Sequence, residues 1–318
     1  TITTNEVVRA LELAKASHLT SDHYLVSAVP LGFELDDAPE WVLNPIRMSA
    51  HSMTGHYHLM MLPISTMQNL DRALKGANIG VERMVISSLA TAEASLLKDE
   101  REYGVCLLDI GAGTTNVAVY LDGRLAMTHT LQRGGEHVTR DIAAVLQTTT
   151  EEAERIKLLY GCVDLKVVKP DHMIQFQGID GPQTISRIEL TEIIIARYDE
   201  ILGLVRDVLE RNGAIHGLYH GVVLTGDAGQ IEGMVSFARK ALGVSAHLGN
   251  PPVQVHAEDQ NQAALRRSQY ATAAGLLMFS QSDTQDTIVE QDDSEPLSMA
   301  QRVKRAWSGL NETLKSIF

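Results

Sequence analysis

The sequence predicts an α/β fold in two lobes, and three observations lead there. An apolar run, Val105 to Leu108, ends in a carboxylate, Asp109, followed by the glycine-rich turn Gly111-Ala-Gly-Thr-Thr115. A second apolar run ends at Leu224 and turns through Gly226-Asp-Ala-Gly229. The chain has 318 residues, 44% of them apolar, which is ample for a large core divided between lobes.

The first loop carries the most chemistry. Val105 to Leu108 reads as a buried strand, and alternation resumes at Val117 and Val119. Asp122-Gly123 is a tight-hairpin signal. Glycines let backbone N–H groups approach a phosphate, and threonine hydroxyls add donors. Gly111, Gly113, Thr114 and Thr115 are therefore candidate phosphate ligands, and Asp109 could hold a hydrated Mg²⁺. A dinucleotide fingerprint would require a third glycine and a following helix; Asn116 and a strand stand there instead. A Walker A loop would end in Gly-Lys-Ser/Thr. A ligand-free glycine-rich hairpin fits the same residues. In the second unit, a helix expected near Gln230 would place its N-terminus beside Gly226, Asp227 and Ala228, a seat for an anionic or sugar-phosphate group.

Charge and cysteine usage exclude other classes. The net charge of −13 argues against general nucleic-acid binding. Cys106 and Cys162 form no CxxC pair, and nothing in cysteine usage points to an oxidising compartment. No apolar run is long enough to span a bilayer, and no signal peptide is evident.

The remaining elements follow in order. Residues 3–17 form a helix capped by Thr4 or Asn5, with Val7, Val8, Leu11 and Ala14 on one face. Strands are expected at 23–29 and 54–62, a helix at 65–77, a short strand at 83–86 and a small-residue helix at 88–98. Gly134-Gly135 precedes a helix at 136–146, and Thr150 caps a helix carrying Glu154 and Lys157. A helix-rich section covers 189–212, and a close-packing helix covers 270–278.

Residues 283–295 hold six acidic and no basic residues and read as a flexible linker. The final segment reverses that character. Met299, Val303, Trp307, Leu310, Leu314, Ile317 and Phe318 share one helical face, with Arg302, Lys304, Arg305 and Lys315 off it. Such a basic amphipathic helix lies in the interface of an anionic membrane. The alternatives are docking on the body of the protein or in a partner's groove. Each large apolar side chain contributes at most about 1.5–3 kcal/mol, so one copy binds reversibly and a polymer binds by avidity.

Other constellations are set aside. His51, His56 and His58 lack a further ligand at metal-site spacing and read as a polar strand face. Glu93 precedes the first loop but reads as a solvated helix position, so no catalytic base is assigned.

Asp109-Ile-Gly-Ala-Gly-Thr-Thr115 resembles the second phosphate motif of the actin/Hsp70/sugar-kinase superfamily. With Leu224-Thr-Gly-Asp-Ala-Gly-Gln-Ile-Glu-Gly233 as an adenosine motif, the segments 134–142 and 153–162, and the tail, the chain is similar over nearly its whole length to the bacterial cell-division family FtsA. The resemblance implies an actin-like, ribonuclease H-like two-lobed fold. It implies a family-specific subdomain at 1–62, returning lobe-1 residues at 63–102, a lobe-2 core at 103–146 and 216–258, and a helical subdomain at 147–215. A closing helix at 259–281, a linker at 282–298 and a membrane-targeting helix at 299–318 complete it. Glu154 and Lys157 would face the adenosine end.

The family implies ATP with Mg²⁺ as ligand, hydrolysis slow or absent, actin-like self-assembly and recruitment of later division proteins. It also implies tethering of FtsZ filaments to the cytoplasmic face of the inner membrane at the division site, with the FtsZ C-terminal tail docking near 147–215 at Arg197. There are three departures. About a hundred residues bearing the first phosphate motif would precede residue 1, Asp227 stands where glycine is usual, and Asn116 replaces an aspartate. A phosphotransferase or phosphatase of the same superfamily, or a pilus-assembly scaffold, are the competing functions.

Overall fold

A computed structural model describes residues 1–36, 38, 40–81, 84–249 and 267–281. The linker at 282–298 and the amphipathic helix at 299–318 lie outside the described residues. Two compact units emerge, one built from Thr1–Ile86 and one from Ser87–Met278.

In the first unit, helix α1 (Thr4–His18) lies with a long antiparallel hairpin, β1 (His23–Leu35) and β2 (Met53–Pro63). The cap of α1 is Thr3 rather than Thr4 or Asn5. Thr3 and Glu6 form a reciprocal capping box, which satisfies two N-terminal donors at once. Strand β1 continues six residues past the expected end, because a bulge between Pro30 and Gly32 absorbs the proline. One face packs Ile2, Val7, Phe33 and Leu35 together. On β2, His56 contacts Glu34 and stacks on Trp41, as befits a polar strand face. Helix α2 (Ile64–Gly76) follows. Residues 84–86 are not in a strand; among the described residues no neighbour pairs with them.

The second unit centres on a five-stranded sheet. Strands β3 (Val105–Ile110), β4 (Thr115–Leu121) and β5 (Arg124–Leu131) form an antiparallel meander. Asp122 and Gly123 both adopt positive φ at the β4–β5 turn, as a type I′ hairpin requires. Strands β8 (Val222–Thr225) and β9 (Ala246–Leu248) extend the sheet in parallel, giving the order β5-β4-β3-β8-β9. All six residues of β3 are buried, as expected for a central strand covered on both faces.

One face of the sheet packs on helices α5 (Gly135–Leu146), α6 (Thr150–Tyr160), α7 (Arg187–Arg211) and α8 (Met234–Leu242), in a single apolar core that includes Ile142, Ile156, Tyr198 and Leu202. A further hairpin, β6 (Met173–Gly178) and β7 (Gly181–Ser186), precedes α7. Thr149 rather than Thr150 caps α6, accepting from the Glu152 amide. The small-residue helix breaks in two, α3 (Ser87–Ser95) and α4 (Lys98–Tyr103), because Glu100 turns back to accept from the Leu97 amide. Helix α9 (Ala271–Gln281) packs closely on α3. A Cβ on Gly275 would meet the Ala90 carbonyl oxygen at 1.7 Å, so only glycine fits. Among the described residues, no helix is long and apolar enough to cross a membrane.

Candidate functional site: two loops at adjacent strand ends

Strands β3 and β8 are parallel neighbours, and their carboxyl ends carry the two predicted loops. Asp109 lies in register with Thr225 on β8 and with Asn116 on β4. In parallel sheets, ligands bind beyond the carboxyl ends of such strands. Asp109 is buried, and burial raises its pKa above the ordinary carboxylate value. Hydrogen bonds from Asn116, and from Thr91 of α3, act in the opposite direction. The Thr225 hydroxyl faces the same carboxylate and acts in the same direction as Asn116. The Thr225 hydroxyl oxygen is fully enclosed. The site thus contains a desolvated carboxylate, whose charge a bound hydrated cation would compensate.

The first loop is braced from behind. The Gly111 amide donates to the Thr114 carbonyl at 2.9 Å. At the start of α5, the Gly135 and Glu136 amides donate to the carbonyls of Gly111 (2.9 Å) and Ala112 (2.8 Å). The loop thereby uses up two of the helix's unpaired N–H groups. A Cβ on Gly134 would fall 2.5 Å from the Gly111 carbonyl oxygen, so the close approach requires glycine. In front, Gly113 faces open space, and a Cβ added to it would have no atom within 4 Å. Thr115 is fully buried and its hydroxyl donates to the Arg133 carbonyl at 2.9 Å. Its side chain therefore braces the loop from within, while the backbone around Gly113 and Thr114 borders the open side.

The second loop begins with Gly226 at φ +80°, where a Cβ would meet the Ile110 carbonyl oxygen at 2.4 Å and Asp109 Oδ1 at 2.6 Å. The two loops therefore touch at Asp109 and Gly226. Asp227 is exposed at the turn. The expected helix near Gln230 is instead a 3-10 turn, Ala228–Gln230, and α8 starts only at Met234. Gly233 at φ +89° caps α8, which delays its start. The N-terminus of α8 therefore lies beyond Gly233 rather than beside Gly226.

Glu154 and Lys157 join the same neighbourhood from α6. Lys157 Nζ pairs with Glu154 at 2.7 Å and donates to Thr139 Oγ1 (2.8 Å) and to the Gly135 carbonyl (3.2 Å). Thr139 also donates to Glu154. A Cβ on Gly135 would contact Ala228 at 2.7 Å, which ties α5 to the second loop. Tyr198 of α7 donates to the Ala228 carbonyl at 2.7 Å. Burial, and then the nearby carboxylates of Asp227 and Glu154, push the Tyr198 phenol upward, so it stays a donor. Thr91, Thr139, Tyr198 and Thr225 escaped the sequence reading, since each belongs to the site only through contacts distant in sequence.

Arg197 sits apart from the two loops, on α7. Its guanidinium grips Asp141 of α5 with two bonds, Nε–Oδ2 at 2.5 Å and Nη2–Oδ1 at 2.8 Å, and also contacts Glu200. One turn before it on α7, Ile193 lines a groove of about 510 Å³ between α5, α7 and the β6–β7 hairpin, with Val145, Phe176, Ile185, Glu189 and Glu192. Cys106 is fully buried in β3, and burial pushes its thiol up to about 12, so it is an inert core residue.

A five-stranded sheet of this order, with glycine-rich loops at the ends of its parallel neighbours β3 and β8, defines an actin-like fold. Solved structures agree. The PilM–PilN type IV pilus biogenesis complex superposes with a TM-score of 0.63 at 18% identity, covering 89% of this chain and 74% of that one. MreB5 of Spiroplasma citri bound to ADP superposes with a TM-score of 0.57 at 16% identity, covering 69% and 66%. The family model for cell division protein FtsA matches residues 106–275. Cell division protein FtsA of Escherichia coli K12 is 30% identical over 98% of this chain and 75% of its own length; that of Pseudomonas aeruginosa is 31% identical over 86% and 65%. The chain belongs to the FtsA family, and it spans about two thirds to three quarters of the length of these relatives.

Proposed function

We propose that this protein is a membrane-bound, actin-like division scaffold that holds Mg·ATP as a structural ligand. The observation that carries the nucleotide part is the contact between the two strand-end loops at Asp109 and Gly226. In this reading the backbone around Gly113 and Thr114 cradles the phosphates, Gly111 and Thr115 hold that loop in place, and Asp109 holds a water of the Mg²⁺. Gly226, Asp227 and Ala228 border the sugar, with Glu154 and Lys157 behind it. Bound Mg²⁺ would offset the charge of Asp109 and the phosphates; no protein base for hydrolysis is assigned.

FtsZ's C-terminal tail would dock on the helical region 147–215. The groove one turn from Arg197, where Val145, Phe176, Ile185 and Ile193 lie together with the carboxylates of Glu189 and Glu192 and no basic residue is among those lining it, supports a peptide carrying apolar and basic side chains. Residues 299–318 would anchor the scaffold to the cytoplasmic face of the inner membrane at the division site. There it would self-assemble and recruit later division proteins. Co-sedimentation with vesicles containing anionic lipid tests the anchor. The full chain should pellet with vesicles and a chain ending at residue 298 should remain in the supernatant; equal pelleting of both would refute the tether.

A further inference from the structure

The ion pairs of Arg197 lead to the phosphate loop by two separate routes. The first runs along α5. Arg197 grips Asp141 in the middle of that helix, and the first amides of the helix, Gly135 and Glu136, hold the carbonyls of Gly111 and Ala112 at 2.9 and 2.8 Å. The second runs beside it. Arg197 contacts Glu200, Glu200 Oε1 lies 3.6 Å from Arg133 Nε, and the Arg133 carbonyl accepts the buried hydroxyl of Thr115 at 2.9 Å. Both routes converge on residues 111–115, and neither passes through a group that would touch a ligand in the loop.

The geometry of the pair suits this task. A bidentate arginine–carboxylate contact fixes orientation as well as distance, which a single surface ion pair does not. Arg197 is 22% exposed and Asp141 31% exposed, so the pair is partly shielded from water and held between packed helices. Asp141 lies on the same helix as Gly135, so a rotation of α5 moves its loop-binding amides together with Asp141.

We infer that Arg197 is a positioning residue for the phosphate loop, acting through Asp141 and α5 and through Glu200 and Arg133. Its consequence for the nucleotide rests on the function proposed above; its consequence for the loop does not. A ligand carboxylate that captured Arg197 would have to take it from Asp141 or Glu200, and should then loosen the loop in the same way as D141N.

Two measurements on the full chain test this, with D141N, R197M and the conservative D141E. The first is amide hydrogen exchange without nucleotide. D141N and R197M should accelerate exchange at 111–116 while leaving the β6–β7 hairpin at 173–186 unchanged, and D141E should restore the slow rate. The second is Mg·ATP affinity, which should weaken by about fivefold or more in D141N and R197M, within the usual span of coupling between linked sites. Unchanged exchange at 111–116 would overturn the inference, as would an equal rise at 173–186, which would mark general destabilisation. If the unaltered chain binds no Mg·ATP, the nucleotide reading falls, and the exchange result alone decides the role of Arg197.

Discussion

The two loops at the ends of β3 and β8 do the same geometric job by different means. The first, 111–115, is open on one side and supported on the other by the N-terminus of α5. The second, 226–229, is closed and pressed against the first. Gly226 fits only because it lacks a side chain, and the turn is fastened by Tyr198. One loop is positioned by hydrogen bonds to its carbonyls, the other by steric exclusion. The contrast is one of labour: a tight wall sets the height of the site, and an open cradle is left on which the proposed nucleotide's phosphates would sit.

Substitutions separate these two modes. The largest effect should come from Gly226→Ala. It combines a left-handed backbone with a Cβ 2.4 Å from the Ile110 carbonyl oxygen. We expect a loss on the order of 3 kcal/mol, read as a lowered urea midpoint. An unchanged midpoint would show that the wall is not tight. Gly134→Ala should cost less, about 1–3 kcal/mol, because the loop carbonyls it meets can shift by breaking the bonds to α5. Its diagnostic is faster exchange of the Gly135 and Glu136 amides.

Asp109→Asn should have the opposite sign for stability. Burial holds the Asp109 carboxyl above its unfolded value, so the folded chain binds the proton more tightly. The cost of ionisation is absent at low pH and is incurred as the pH rises through the folded value. The variant should therefore be more stable than the parent at neutral pH, with the advantage vanishing in acid. Denaturation at pH 4 and pH 7 measures this, and equal differences at both would contradict the assignment. The smallest effect should belong to Gly113→Ala, within about 0.5 kcal/mol, because a Cβ there enters open space. That same open space should make the variant a weaker phosphate binder.

This contrast also governs how much of the molecule the sequence revealed. The first loop was legible because its devices are local: a strand, a carboxylate, two glycines and an Asp-Gly hairpin within twenty residues. Helix α5 was legible to within a residue, α6 was placed only by a cap one residue late, and α7 is a single helix where the sequence marked only a helix-rich stretch. The second loop was half legible. Leu224 to Gly229 read as a strand end and turn, but a 3-10 turn and Gly233 displaced the helix from Gln230 to Met234. Hairpin β6–β7 alternates cleanly, Ile174 and Phe176 in, Gln175 and Gln177 out, yet strands of six residues escaped notice among polar neighbours. Strand β9 has three residues and is defined only by its parallel partner β8. The supporting residues of the site were beyond reach for the same reason. Thr139 matters because of Glu154 and Lys157, and Tyr198 because of Ala228, contacts that no local pattern encodes.

The central claim is that the two loops form one Mg²⁺-dependent nucleotide site. Hydrogen exchange with and without Mg·ATP, on the unaltered chain and on D109N, tests it most directly. The account predicts that Mg·ATP slows exchange at 111–116 and at 226–230 together, that omitting Mg²⁺ removes the protection, and that D109N loses it in both loops. Protection confined to one loop, or retained in D109N, would contradict it.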